Sequence, residues 1–542
     1  MRRTLAMGAI VTTAWGQAPP QAPAPVFKAR AELVTVPVIV ADQHGNHLEH
    51  LQKEDFVLLE DGKEQKVAVF EEIPKPSTLP ARPPADPNQF SNRIVRDAAP
   101  VRLTILVLDF VNTPFESQAY ATKHVFKYLQ DSVDSSQPTS LFLITRSGLK
   151  VVHDFTTDPA ALAAALRRVR GTKEVVEQAS QEAVPAGTDK EIAAMMEVQR
   201  MADQRLESLE QLNTVILTLQ TMQQIARYCA GLPGRKAVLW ASGGFPFQLN
   251  EHSMVFNIAG PKLDSFADVS ALYEKTWKDL NQAQVALYPV DVGGLANPSV
   301  VDIAVSNPRA EYYSHAQWMH DQTIGTFQTF AEATGGRAFY NTNDLAGAFH
   351  KAAADNSSYY LLSYYLDRTD KQPGWHKLAV KVHREGVQVR ARTGFFMTKG
   401  DQDQDDKTAL KIALNSPLDY TAISLTGHWQ QVLPAEEPGK RKIVFLLTTP
   451  PNFAQIDEDS DNHIEVQFVA VALTETGTPA AETSKTMDGH LKADSLSQIR
   501  DHGMDYRGAL VLPPGDYTVH FAVVDRLSGR IGSVFAPLKV TP

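Results

Sequence analysis

The sequence predicts a doubly wound α/β domain flanked by β-sandwich elements and followed by an Ig-like all-β domain. Three observations predict it. Four continuous apolar runs (Leu103 to Leu108, Ser140 to Thr145, Lys236 to Ala241 and Val285 to Val290) have the composition of strands buried on both faces. Helical periodicity separates them, over 115–131, 158–170 and much of 174–230. Outside residues 101–355 the pattern changes to short alternating strands punctuated by Gly, Pro and Asp.

Taken in order, residues 1–18 carry Arg2 and Arg3 ahead of a short apolar stretch, Leu5 to Trp15, with small residues around Ala14-Trp15-Gly16. That is the pattern of a secretory signal peptide, and the stretch is well below the roughly 20 residues that cross a bilayer as a helix. The expected location is therefore outside the cytoplasm: periplasm, cell surface or secreted. Residues 19–30 form a Pro/Ala linker. In 31–72, Val34, Val36, Val38 and Val40 alternate with their neighbours, a turn follows at 42–46, and Asp61-Gly62 is a hairpin signal between two further strands. Residues 73–100 are Pro-rich and read as a linker.

The α/β domain spans 101–355, with a helical insertion at 174–230. Leu209, Leu212, Ile216, Leu219 and Ile225 form an apolar stripe in that insertion. Helices at 321–334 and 344–354 close the domain. Strands return over 356–397 and are expected to pack with 31–72, so that the α/β domain is inserted between two halves of one sandwich. An acidic linker at 398–406 precedes 407–542, whose short strands suggest the Ig-like domain.

Composition excludes several classes. Hydrophobic residues make up 43% of the chain, enough for ordinary cores. A formal net charge of −10 argues against a general nucleic-acid binder, which needs a basic face. The single cysteine, Cys229, excludes an intramolecular disulfide and a multi-thiolate zinc site.

Several segments together resemble a known family. They are Leu108-Asp109-Phe110-Val111-Asn112-Thr113-Pro114, the run Gly234 to Trp240 followed by Ser242-Gly243-Gly244, and Ala331 to Phe339 with Asn343-Asp344-Leu345. Asp55-Phe56, Glu60-Asp61-Gly62 and Tyr359 to Tyr365 flank them. In this order, over roughly 27–397, they resemble the exported bacterial proteins with a VWFA-related (von Willebrand factor A-like) domain described in Acidobacteria. The resemblance implies a VWFA/Rossmann-like core, export, and recognition of a protein ligand through a divalent cation. The family's metal motif maps onto Asp109, Thr113, Thr172 and Ser242. Val111 stands where the motif has its first Ser and Ser242 where it has a late Asp, so one hydroxyl and one carboxylate are missing. The site is accordingly expected to be degenerate, with at most weak binding of Mg²⁺.

Enzyme readings fare worse. Asp109-x-Val111-x-Thr113 is similar to a phosphatase pattern in which Asp attacks phosphorus, but Val111 replaces the general acid. No nucleophile elbow, P-loop or His-Glu-x-x-His motif is present. His315 and His320 are five apart, a poor spacing for one helical face. The alternating Asp401, Asp403, Asp405 and Asp457, Asp459, Asp461 lack the glycine and distal glutamate of a calcium loop. The tyrosines, Trp375 and phenylalanines of 359–396 read as core rather than as a sugar platform. The expectation is a non-enzymatic protein-interaction protein with an unidentified protein partner. The alternatives are an extracytoplasmic hydrolase and a structural spacer.

Overall fold

The computed structural model describes residues 32–74, 88–93, 102–131, 137–169, 190–245, 248–250, 253–255, 266–294, 323–356, 358–366, 373–397 and 405–542. The signal-peptide expectation for 1–18, Thr172, His315 and His320 lie outside these residues.

The first part of the chain holds strands β1 (Glu32–Ala41), β2 (Phe56–Glu60), β3 (Lys63–Gln65), β4 (Val69–Ile73) and β5 (Gln89–Ser91). There follow β6 (Leu103–Asp109), α1 (Phe115–Asp131), β7 (Thr139–Thr145), β8 (Gly148–Thr156), α2 (Pro159–Leu166) and α3 (Lys190–Cys229). Next come β9 (Lys236–Ser242), β10 (Gln248–Asn250), β11 (Ser253–Val255), α4 (Phe266–Gln282) and β12 (Val285–Asp291). Helix α5 covers 323–334 and α6 covers Leu345–Asp355. Four strands return as β13 (Tyr359–Leu366), β14 (Gly374–Val382), β15 (Gln388–Arg390) and β16 (Gly394–Met397). The last part contains α7 (Asp405–Asn415), β17 (Thr426–Pro434), β18 (Arg441–Thr449), β19 (His463–Thr474) and β20 (Pro479–His490). It ends with α8 (Ala493–His502), β21 (Met504–Leu512), β22 (Gly515–Asp525) and β23 (Arg530–Val540).

Among the described residues these strands make six sheets, and five of them are antiparallel throughout. The doubly wound α/β, VWFA-like class expected from sequence therefore does not describe the chain, which is mostly antiparallel and sandwich-like. Only the sheet β12-β9-β6-β7-β8 has parallel pairs, and its edge strand β8 runs antiparallel. The reason for the discrepancy is physical. Strands buried on both faces are uniformly apolar and dominate a hydropathy reading, whereas half-exposed antiparallel strands alternate and signal weakly.

The order β15-β1-β13-β4 and the order β16-β14-β2-β3 face each other across one core that includes Val36, Val38, Leu58, Tyr360, Leu362 and Leu378. The pairing joins the two ends of a long excursion: Val38 lies opposite Tyr360. The sheets β21-β18-β17-β5 and β20-β19-β22-β23 enclose a second core around Phe445, Phe468 and Phe521. Strand β5 comes from the stretch read as a Pro-rich linker; it pairs Phe90 with Gly427, and the Phe90 ring stacks on Phe521 at 4.8 Å. Helix α7 starts at Asp405 inside the expected acidic linker, and α8 interrupts the expected all-β region.

Local chemistry explains the helix starts. Asp158 caps α2 by accepting from the Ala160 N–H at 2.8 Å, with Pro159 at the first helical position. Asp344 caps α6 by accepting from Gly347.

Asp419, at the junction of α7 with β23, is partly buried and accepts a hydrogen bond from the Phe535 N–H at 3.1 Å. Burial, with Asp154 nearby, pushes its carboxyl up to about 7. The neutral form is thus the one the fold favours. Its stabilisation is full below the ordinary carboxylate range and is lost as pH rises through about 7. Asp419→Asn keeps the acceptor for Phe535 and is expected to match wild type near pH 4. Above pH 7 it should be more stable by roughly 1–2 kcal/mol, after allowance for partial solvent exposure. Urea denaturation at the two pH values checks this.

Candidate functional site

Strands β6, β9 and β12 end side by side at Asp109, Ser242 and Asp291. Asp109 has no solvent exposure. Its Oδ1 accepts from the backbone N–H groups of Val111 (3.1 Å) and Asn112 (3.0 Å). Its Oδ2 accepts from the Asn112 side-chain amide (2.7 Å) and the Trp240 indole (3.0 Å). The Ser242 hydroxyl sits 3.0 Å from the same oxygen and 2.9 Å from the Gly244 carbonyl. Asn112 also donates to Thr218 Oγ1 of α3 at 2.9 Å, and Thr113 Oγ1 accepts from the Gly243 N–H at 2.9 Å. Burial raises the Asp109 carboxyl above its ordinary value, against the pull of its hydrogen bonds from Asn112, Ser242 and Trp240.

The structure thus brings together three of the four residues expected to form a degenerate Mg²⁺ site: Asp109, Thr113 and Ser242. Both Asp109 oxygens are committed to protein donors, and Val111 offers no oxygen where the motif has a hydroxyl. A hydrated dication needs about six oxygens, and this donor set does not fit one. What the cluster does instead is tie the loop after β6 to β9 and to α3. Sequence reasoning missed Trp240 and Asn112 as its partners because neither residue type belongs to the metal motif.

A second cluster lies at the turn between β2 and β3. Glu60 (1% exposed) and Asp61 come from that turn, and His376 (7% exposed) comes from the neighbouring strand β14. His376 Nδ1 is 2.8 Å from Asp61 Oδ2 and 3.7 Å from Glu60 Oε1. The sequence signals only a hairpin there; nothing in a separation of 315 residues announces the histidine.

Helix α3 has 40 residues, about 60 Å of rise. Its carboxyl-terminal half is core: Val215, Leu219, Met222, Ile225, Ala226 and Cys229 are buried. Its amino-terminal half exposes Ile192, Met195, Met196, Val198, Met201, Leu206 and Leu209.

A polar groove of about 730 Å³ lies between α6, β15 and the loop after α5, lined by Glu332, Arg337, Tyr340, Lys351 and Arg390 among others. None of the four sequence-predicted site residues lines it. Arg390 is engaged with Asp355 at 2.6 Å, and the Arg337 guanidinium sits over the Phe339 ring. No helix among the described residues is long and apolar enough to cross a membrane.

No family model and no curated protein matches the chain. Solved structures that match do so at low similarity. A glycosyl hydrolase family 2 member from Bacteroides cellulosilyticus is 8% identical, with a TM-score of 0.16, over 34% of this chain and 20% of its own. The chain therefore spans about a fifth of that protein's length. The TFIIH p34 N-terminal domain is 11% identical, with a TM-score of 0.18, over 47% of this chain and 97% of its own. The pilus adhesin SpaC from Lactobacillus rhamnosus GG, in its open conformation, is 9% identical, with a TM-score of 0.25, over 90% of this chain and 72% of its own.

Proposed function

We propose that the protein is a non-enzymatic protein-recognition molecule acting outside the cytoplasm, and that it assembles through the exposed half of α3. One observation carries the reading: seven large apolar side chains on one half-helix face solvent. Ile192, Met195, Val198, Ala202, Leu206 and Leu209 follow one another at spacings of three and four, a single apolar row along the helix. The committed Asp109 oxygens support a recognition role over hydrolysis, and residues 1–18 support export.

The occupant we propose for this face is a second copy of the chain, antiparallel. Self-complementarity argues for it. About the middle of the row, such pairing sets Ile192 opposite Leu209 and Met195 opposite Leu206, each contact made twice.

The test is sedimentation of the full chain over a concentration series. Wild type is expected to dimerise. The variant Met195→Glu with Leu206→Glu is expected to sediment as a folded monomer, because both side chains are exposed in the protomer, and its melting temperature is expected not to rise with concentration as wild type's should. A wild-type chain that stays monomeric throughout overturns the homotypic reading.

A further inference from the structure

We propose that Glu60, Asp61 and His376 form a binding site for a first-row divalent cation, with Zn²⁺ as the reference ion. The donor set is one imidazole nitrogen and two carboxylates, a combination zinc accepts, with water completing the tetrahedron. At zinc–ligand bonds of about 2.0–2.2 Å, tetrahedral ligands sit about 3.3 Å apart. The observed separations of 2.8 and 3.7 Å from His376 Nδ1 bracket that value. All three ligand atoms lie within 4.8 Å of one another, so small side-chain rotations close the site.

The surroundings already hold each ligand. Asp61 is fixed by two backbone hydrogen bonds with Lys377: its N–H donates to the Lys377 carbonyl and its Oδ1 accepts from the Lys377 N–H, both at 2.8 Å. That leaves Oδ2 directed at His376. The His376 ring stacks on Phe395 at 5.4 Å. Glu60 is near Tyr364, whose ionisation is opposed first by burial and then by the Glu60 charge. Such outer contacts orient metal ligands and raise their affinity.

Asp61, with its side chain 46% exposed, leaves an open side for an ion to enter. The ion would join the β2–β3 turn to β14 across most of the chain.

The test uses the full chain, stripped with a chelator and titrated calorimetrically with zinc chloride alone. One equivalent is expected to bind in the micromolar range or tighter and to raise the melting temperature. Cobalt(II) is expected to give the intense visible absorption of a tetrahedral site. Asp61→Asn retains the acceptor for Lys377 and tolerates the positive φ of 49° at this turn position, so it should fold. It and His376→Gln are each expected to weaken binding more than about tenfold and to abolish the cobalt spectrum. Zinc affinity unchanged in both variants would place the ion elsewhere and overturn the proposal, as would the absence of an equivalent bound to wild type.

Discussion

Asp109→Ala is expected to lower stability by about 3–5 kcal/mol, because the lost carboxylate leaves buried N–H donors of Val111, Asn112 and Trp240 without an acceptor. The loss is not a cavity effect alone. The site lies where β6 and β9 meet α3, so one carboxylate serves strand ends, loop and helix together. Asp109→Asn separates the contributions. Its amide oxygen still satisfies one side of the cluster, while its NH₂ group confronts the donors on the other. A cost of roughly 2–3 kcal/mol follows. Urea unfolding monitored by Trp fluorescence measures both, since Trp240 is itself a partner. An alanine variant as stable as wild type would show that the cluster is not what anchors the loop after β6.

Gly231→Ala is expected to detach the carboxyl-terminal sandwich from α3. A Cβ built at Gly231 would stand 1.7 Å from the Thr421 carbonyl oxygen, a backbone atom that no rotamer change can move aside. Three hydrogen bonds meet at this contact. The Gly231 N–H donates to Thr421 Oγ1 at 2.9 Å, the Thr421 hydroxyl to the Tyr228 carbonyl at 2.6 Å, and the Thr421 N–H to the Arg227 carbonyl at 3.3 Å. The Arg227 guanidinium lies over the neighbouring Tyr420 ring. Steric clash and lost bonds together should cost about 3 kcal/mol or more at the junction. Scanning calorimetry is expected to resolve two transitions in Gly231→Ala where wild type gives one. Thr421→Ala removes only the hydroxyl bonds and should shift the transition by about 1–2 kcal/mol without splitting it. A Gly231→Ala chain that melts as wild type does would contradict this account of the junction.

The legibility of the chain divided along physical lines. The four apolar runs lie within β6, β7, β9 and β12, and Phe115–Asp131 is helix over the span its periodicity predicts. Burial on both faces leaves few polar interruptions, so those elements declare themselves. Strand β20 does not: Pro479–His490 is polar and largely exposed, held by its pairing with β19 rather than by its own composition. Strand β8 signals weakly for the same reason, since only Leu149 of it is buried. The candidate sites divide similarly. Asp109 was visible as a carboxylate ending an apolar run. Its saturation by Trp240 and Asn112 is a matter of three-dimensional approach. His376 met Asp61 only through the register that sets Leu378 opposite Glu60.

The pairing of β1 with β13 carries a consequence for biosynthesis. Translation at about 5–20 residues per second makes Val38 wait some tens of seconds for Tyr360, the residue across from it. During that interval Val34, Val36 and Val40 belong to a half-built layer with nothing to cover it. A nascent chain in this condition needs a holding factor, or a slow enough neighbour, to keep its first strands from finding those of another copy.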